Sequence, residues 1–152
     1  MTVKISNTIY FILANILVFL LVFLNRENSF FWDTIQLASE HGSYYYNNNF
    51  SKLLLPVELD SGHIPAFGMY IALIWKIFGK SIEISHLAML PFAFGIVWQL
   101  NNLCKRFIQK KYVGIALILV LIDATLMSQI TLVSPDVPLM FLKHLIHILN
   151  FF

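Results

Sequence analysis

Residues 8–24 read TIYFILANILVFLLVFL, a stretch without a charge in which Asn15 is the one amide. A bilayer core of about 30 Å is crossed by about 20 residues of helix. The stretch therefore predicts a membrane-crossing helix, and with it an all-α, polytopic helical membrane protein. Leu24-Asn25-Arg26-Glu27 follows without a small-x-small cleavage site, so the helix reads as a retained anchor rather than a removable leader.

The rest of the 152 residues agrees, being 59% hydrophobic and 12% charged, with a mean hydropathy of +0.75. Soluble domains run at about 45–50% apolar and about 25% charged, which leaves this chain too few charges to coat a water-soluble surface. The formal charge of +2 is too small to suggest nucleic acid as a partner. Cys104 is the single cysteine, which excludes an internal disulfide framework and a thiolate metal cluster. No internal repeat is present, and the one biased tract is Tyr44-Tyr45-Tyr46-Asn47-Asn48-Asn49, whose polar-tipped rings suit a membrane surface.

Further apolar segments predict about four spans, at about 8–24, 84–101, 113–130 and 138–152. Pro91 and Gly95 are possible kinks in the second. Residues 64–78 are apolar too, but at 1.5 Å per residue they reach only about 22 Å. Charge sets the sidedness. Lys105, Arg106, Lys110 and Lys111 stand together without an acid, and short basic loops stay cytoplasmic. With Lys4 on the same side, two crossings separate the basic groups, so 64–78 is read as an interfacial helix within a long, net-acidic outer loop, 25–83. Asp33, Asp60, His63 and Asp136 then share the outer face.

Ionisable groups at or within a membrane are costly and are candidates for function. Asp33 follows Phe30-Phe31-Trp32, rings that would seat it at headgroup level; it would equally serve as the N-cap of a helix starting at Thr34, and the two roles are compatible. In Asp60-Ser61-Gly62-His63-Ile64-Pro65 the aspartate and histidine could bind a phosphate-linked sugar, exchange a proton or hold a metal, or simply form a turn with Asp60 or Ser61 as a cap. One Asp and one His fall short of the three or four ligands of a metal site; a divalent metal is permitted by the carboxylates, with no ligand set visible. Asp123, inside the third segment, reads as an interhelical hydrogen bond, and Asp136 as part of a proline turn. His86, His144 and His147 read as structural, and Lys76 as snorkelling to the headgroups.

Three of these stretches, in this order, carry a resemblance to a known family: Phe31-Trp32-Asp33 after the first span; Asp60 to Pro65 with Tyr70-Ile71-Ala72-Leu73-Ile74-Trp75-Lys76-Ile77-Phe78-Gly79 behind it; and Ser128-Gln129 through Ser134-Pro135-Asp136-Val137-Pro138-Leu139. They resemble the polytopic glycosyltransferases of the C-type fold, family 39-like, in the protein O-mannosyltransferase and aminoarabinose transferase group. The match covers most of the chain as an N-terminal portion. It implies transfer of a sugar from a polyprenyl-phosphate donor to a glycan, lipid or protein acceptor on the outer face, in a multi-pass bacterial inner-membrane protein. By the resemblance Asp33 is the catalytic general base, Asp136 positions acceptor or donor headgroup, Asp60 lies in the substrate-binding element, and His63 contacts phosphate. Ile64 departs from the family's Pro-Pro pair. The family's enzymes are several hundred residues long, so the chain is expected to be truncated and inactive alone. The alternatives are a small membrane protein with a structural or assembly role and, more distantly, part of a transporter.

Overall fold

The computed structural model describes residues 6–32 and 34–149, the last stretch without the side chains of 144 and 146–149. Lys4 and Asp33 lie outside the described residues, as do the side chains of His144 and His147. The described chain is helical, with no strand among the described residues. Helix α1 is Asn7–Leu24, α2 His41–Asn47, α3 Ala66–Phe78, α4 Ile82–Leu87, α5 Leu90–Phe107, α6 Val113–Leu121, α7 Ala124–Ile130 and α8 Asp136–Leu149. A π-helical turn, Ile35–Glu40, runs into α2, and a 3₁₀ turn, Val57–Leu59, lies between α2 and α3.

Two helices are long and apolar enough to cross a membrane, Asn7–Leu24 and the joined stretch Ile82–Phe107; a third qualifies if the bent pair α6–α7 counts as one. Ser6 starts α1 by accepting the Thr8 N–H at its hydroxyl. Asn15 donates to the Phe11 carbonyl one turn back (2.7 Å), which pairs part of its amide inside an apolar helix. Ala14, Val18 and Val22, spaced by four, form one buried stripe against Ala93, Val97 and Cys104 of α5 and Val113, Leu117 and Leu121 of α6. The opposite flank of α1 is just as apolar, with Ile9, Ile12, Leu13, Ile16, Phe19 and Leu20 exposed. A helix apolar on every side needs an apolar surround, as a bilayer provides.

The ends of these helices meet in pairs. Asn7 Nδ2 donates to the Lys110 carbonyl (2.7 Å), and the Gly114 N–H donates to Asn7 Oδ1 (3.1 Å). The start of α1 thus sits with the basic turn between α5 and α6. At the other end His86 Nε2 donates to the Asn28 carbonyl (3.0 Å), and Phe30, Ile84, Val133 and Val137 share one cluster. The α1–α4 and α7–α8 connections therefore lie together, away from the basic turn.

Three segments differ from the sequence expectation. The 84–101 segment is a helix from 82 to 107, interrupted at Ala88–Met89. Pro91 has no N–H for the Leu87 carbonyl and its ring crowds that carbonyl, so the break falls just upstream and Pro91 opens α5 instead of kinking it. Gly95 serves close packing: an added Cβ there would run into the ring of Phe141 on α8. The 113–130 segment is not one helix. It bends by 69° between α6 and α7, where Asp123 is exposed and accepts the Leu126 N–H (3.0 Å) as the N-cap of α7. The expected interhelical hydrogen bond of Asp123 is corrected accordingly: ending α6 lets the carboxylate leave the apolar core and pair with an orphan amide. The helix expected at 64–78 begins at Ala66, with Pro65 as its cap, and ends at Gly79, whose φ of 97° lies where glycine is favoured.

Candidate functional site

The segment 25–83 builds a small second core on top of the bundle. Ala38, Ile71, Trp75, Ala88, Met89, Ile96, Val133 and Val137 are buried together, with Phe30, Tyr46, Phe67, Tyr70 and Phe141 packed on them. Helices α2 and α3 approach closely because both present glycine at the contact. A Cβ on Gly68 would strike His41, whose backbone carbon would be at 3.1 Å, and a Cβ on Gly42 would be 3.1 Å from the Trp75 ring.

Irregular backbone in this core leaves carbonyls that no helix satisfies, and aromatic polar tips supply the donors. His41 Nε2 donates to Leu59 O (2.9 Å), Tyr45 Oη to Leu53 O (2.8 Å) and Tyr70 Oη to Ala88 O (2.6 Å), the last at the α4–α5 break. Trp75 Nε1 donates to Ser85 Oγ (2.8 Å), which donates onward to Ser81 O (2.8 Å). Burial pushes the phenols of Tyr45 and Tyr70 up, with the neighbouring Tyr44 adding to the shift at Tyr45. The middle ring of the tyrosine tract is thus a core residue and not an interfacial one: Tyr45 is fully buried. His41 also went unrecognised in the sequence. The only local hint is the glycine beside it, which permits the close helix contact.

Around Asp33, itself outside the described residues, Phe31 and Trp32 are exposed and Trp32 has φ 53°, a left-handed conformation uncommon for a bulky residue. Thr34 is buried and ties the turn: its hydroxyl accepts the Phe31 N–H (2.8 Å) and donates to the Phe31 carbonyl (2.6 Å). Thr34 already has helical backbone angles and makes no side-chain cap bond to the turn that follows. Asp60 is exposed and accepts the Gly62 N–H at Oδ1 (2.9 Å), which is the turn role. Ser61 Oγ beside it is buried without a hydrogen-bond partner. His63 is exposed. Asp136 is exposed in the first turn of α8, and its N–H donates to the buried Ser134 hydroxyl (3.2 Å).

The structure brings together the segments that carry these residues, since Phe30, Phe67, Tyr70, Val133 and Val137 belong to one cluster. It does not join their side chains: among the described residues no hydrogen bond or ion pair links Asp60, His63 and Asp136 to one another. No group of three or more His, Cys, Asp or Glu is placed to hold a metal ion among the described residues. What the arrangement offers is a set of solvent-accessible carboxylates and an imidazole at one end of a helical bundle, carried on turns that a packed core holds in place. No family model, curated protein or solved structure matches this chain.

Proposed function

We propose that the chain is the outer-face portion of an integral, multi-pass membrane glycosyltransferase of the C-type, family 39-like fold, with α1, α4–α5, α6–α7 and α8 as four crossings and α2–α3 at the outer interface of a bacterial inner membrane. The single observation that supports this reading is convergence. The stretches around Asp33, His63 and Asp136 are 30 residues or more apart in the chain, yet their flanking residues share one core, at the end of the bundle away from the basic turn.

In this proposal the donor is a polyprenyl-phosphate sugar. The acceptor hydroxyl oxygen bonds to the anomeric carbon, the bond from that carbon to the phosphate oxygen breaks with its electron pair, and the hydroxyl proton passes to the Asp33 carboxylate. A positioned base of this kind contributes about 10²–10⁴-fold. The phosphate leaves as a stable anion, so no strong general acid is required. Asp136 orients a headgroup hydroxyl, Asp60 holds the turn that carries His63, and His63 meets the donor phosphate.

The test uses the purified chain in nanodiscs with a radiolabelled hexosyl polyprenyl phosphate. Donor binding is expected in the wild type, with only residual hexose release, because the resemblance implies that further spans complete the enzyme. Asp33→Asn should lower release about 10²–10⁴-fold while leaving donor binding unchanged. Equal release by the two proteins removes Asp33 as the base. A wild-type chain that binds no donor removes the enzyme reading in favour of a structural or assembly role.

A further inference from the structure

The far end of α3 from His63 carries a feature that sugar transfer does not use. Lys76, in the last turn of α3, and Lys80, just past Gly79, both come to the ring of Tyr46, with their Nζ atoms 4.3 and 5.7 Å from its centre. Lys80 Nζ is also 5.1 Å from the Trp75 ring, and Tyr46 and Trp75 meet edge to face at 6.1 Å. The two ammonium groups are tethered as well as stacked. Lys76 donates to Asn49 Oδ1, and Lys80 donates to Ser43 Oγ (2.9 Å). Neither forms an ion pair with a carboxylate among the described residues.

Two like charges held on one ring repel each other, and among the described residues no carboxylate is within salt-bridge distance of either. An ammonium has three N–H donors. One on each lysine is used within the protein, so two remain on each to meet an anion. Beside them Leu73, Ile77 and Phe78 are exposed on the same helix end, with Ile77 at 62% and Phe78 at 65%. Basic groups flanking an exposed apolar ridge on a helix too short to span are the pattern of a helix lying in the headgroup layer.

We propose that Lys76 and Lys80, with Ser43 and Asn49 beside them, form a phosphate-binding site that docks the α3 end on the phosphate of a lipid headgroup. Tyr46 and Trp75 hold the two ammonium groups ready, so little side-chain entropy is lost when the anion arrives. The site lies at the opposite end of α3 from His63 and does not depend on the glycosyltransferase proposal.

The experiment titrates the full chain, in a neutral detergent, with dihexanoyl-phosphatidylglycerol and separately with inorganic phosphate, by calorimetry. At about 1 kcal/mol per lysine near an anionic surface, Lys76→Gln/Lys80→Gln should weaken binding about 25-fold. Lys52→Gln, an exposed lysine elsewhere in the same loop, should change it less than about 2-fold. Lys76→Arg/Lys80→Arg keeps the charge and should retain binding. Loss of both ligands in the glutamine variant supports the shared phosphate chemistry. Binding of the lipid alone assigns the headgroup as the source, and binding of phosphate alone assigns the free anion. Should the double variant unfold, the single glutamine variants decide, each expected about 5-fold weaker by the same estimate. The proposal is overturned if the wild type binds neither ligand, or if folded glutamine variants bind as the wild type does.

Discussion

The bundle of α1, α5 and α6 and the platform of α2 and α3 bury apolar surface by different means. The bundle core is made of small and branched residues, Ala14, Val18, Val22, Ala93, Val97 and Leu117, on helices whose backbones are satisfied internally. The platform core mixes aliphatic residues with Trp75 and is ringed by aromatics, and aromatic tips reach carbonyls that the turns leave open: Leu53 O, Leu59 O and Ala88 O. A regular helix in an apolar surround asks for shape alone. A folded loop at an interface asks for shape and for donors, because each buried carbonyl left unpaired costs about 1–3 kcal/mol.

The contrast is broken most directly at the glycines. Gly68→Ala should destabilise the platform by about 3 kcal/mol, because the new methyl meets His41 Cβ, which no side-chain rotation moves, with the His41 backbone carbon at 3.1 Å behind it. The check is the urea midpoint of the detergent-solubilised chain. Gly114→Ala, in the bundle, meets the side chain of Tyr10. Turning that ring relieves the contacts with the ring atoms and leaves Tyr10 Cβ at 2.8 Å, a milder clash than the one Gly68 would make with His41 Cβ, so the expected loss is smaller, about 1–2 kcal/mol. Equal losses at the two glycines would mean that the platform backbone is as adaptable as a bundle side chain.

Polar tips come next. Trp75→Phe keeps the ring and removes the donor to Ser85 Oγ, with an expected cost of about 1 kcal/mol. A cycle with Ser85→Ala should show the two changes to be non-additive, and additivity would remove this bond from the account of the platform. Asp123→Ala takes the cap from α7 and should cost about 1 kcal/mol. If Asp123 instead served the bundle interior, Asp123→Asn would be as costly as alanine, whereas an asparagine cap should restore most of the loss.

The smallest effect is seen only in alkali. The phenols of Tyr45 and Tyr70 are raised above 10.0 by burial. The folded platform therefore holds these protons more tightly than the unfolded chain does. Their contribution is complete below pH 10 and is lost as the pH rises through the raised values. Tyrosinate absorbance at high pH should show two late-titrating rings that ionise together with unfolding, and Tyr45→Phe should remove one of them. Early ionisation of all six tyrosines would contradict the buried placement of Tyr45 and Tyr70.

That the chain is helical, and that at least two of its helices are apolar enough to cross a membrane, is legible in the residues alone, because composition and unbroken hydrophobic length are local properties. The residues also point to the turn around Asp60, since Asp-Ser-Gly is local turn chemistry. Where the helices break and what fills the platform depend on contacts between distant segments. Asp123 looked like a buried polar group in a continuous span and proved to be a cap, because ending a helix is an alternative to burying a charge, and hydropathy cannot weigh the two. The tract Tyr44-Tyr45-Tyr46 looked uniform, yet Tyr45 is buried, Tyr46 carries two lysines, and Tyr44 reaches toward the Leu54 carbonyl (3.4 Å). Their separate fates depend on what α3 presents 30 residues later. Gly68, Trp75, Lys76 and Lys80 have that effect only when the chain folds α3 back against α2, a contact that no local pattern in the sequence records.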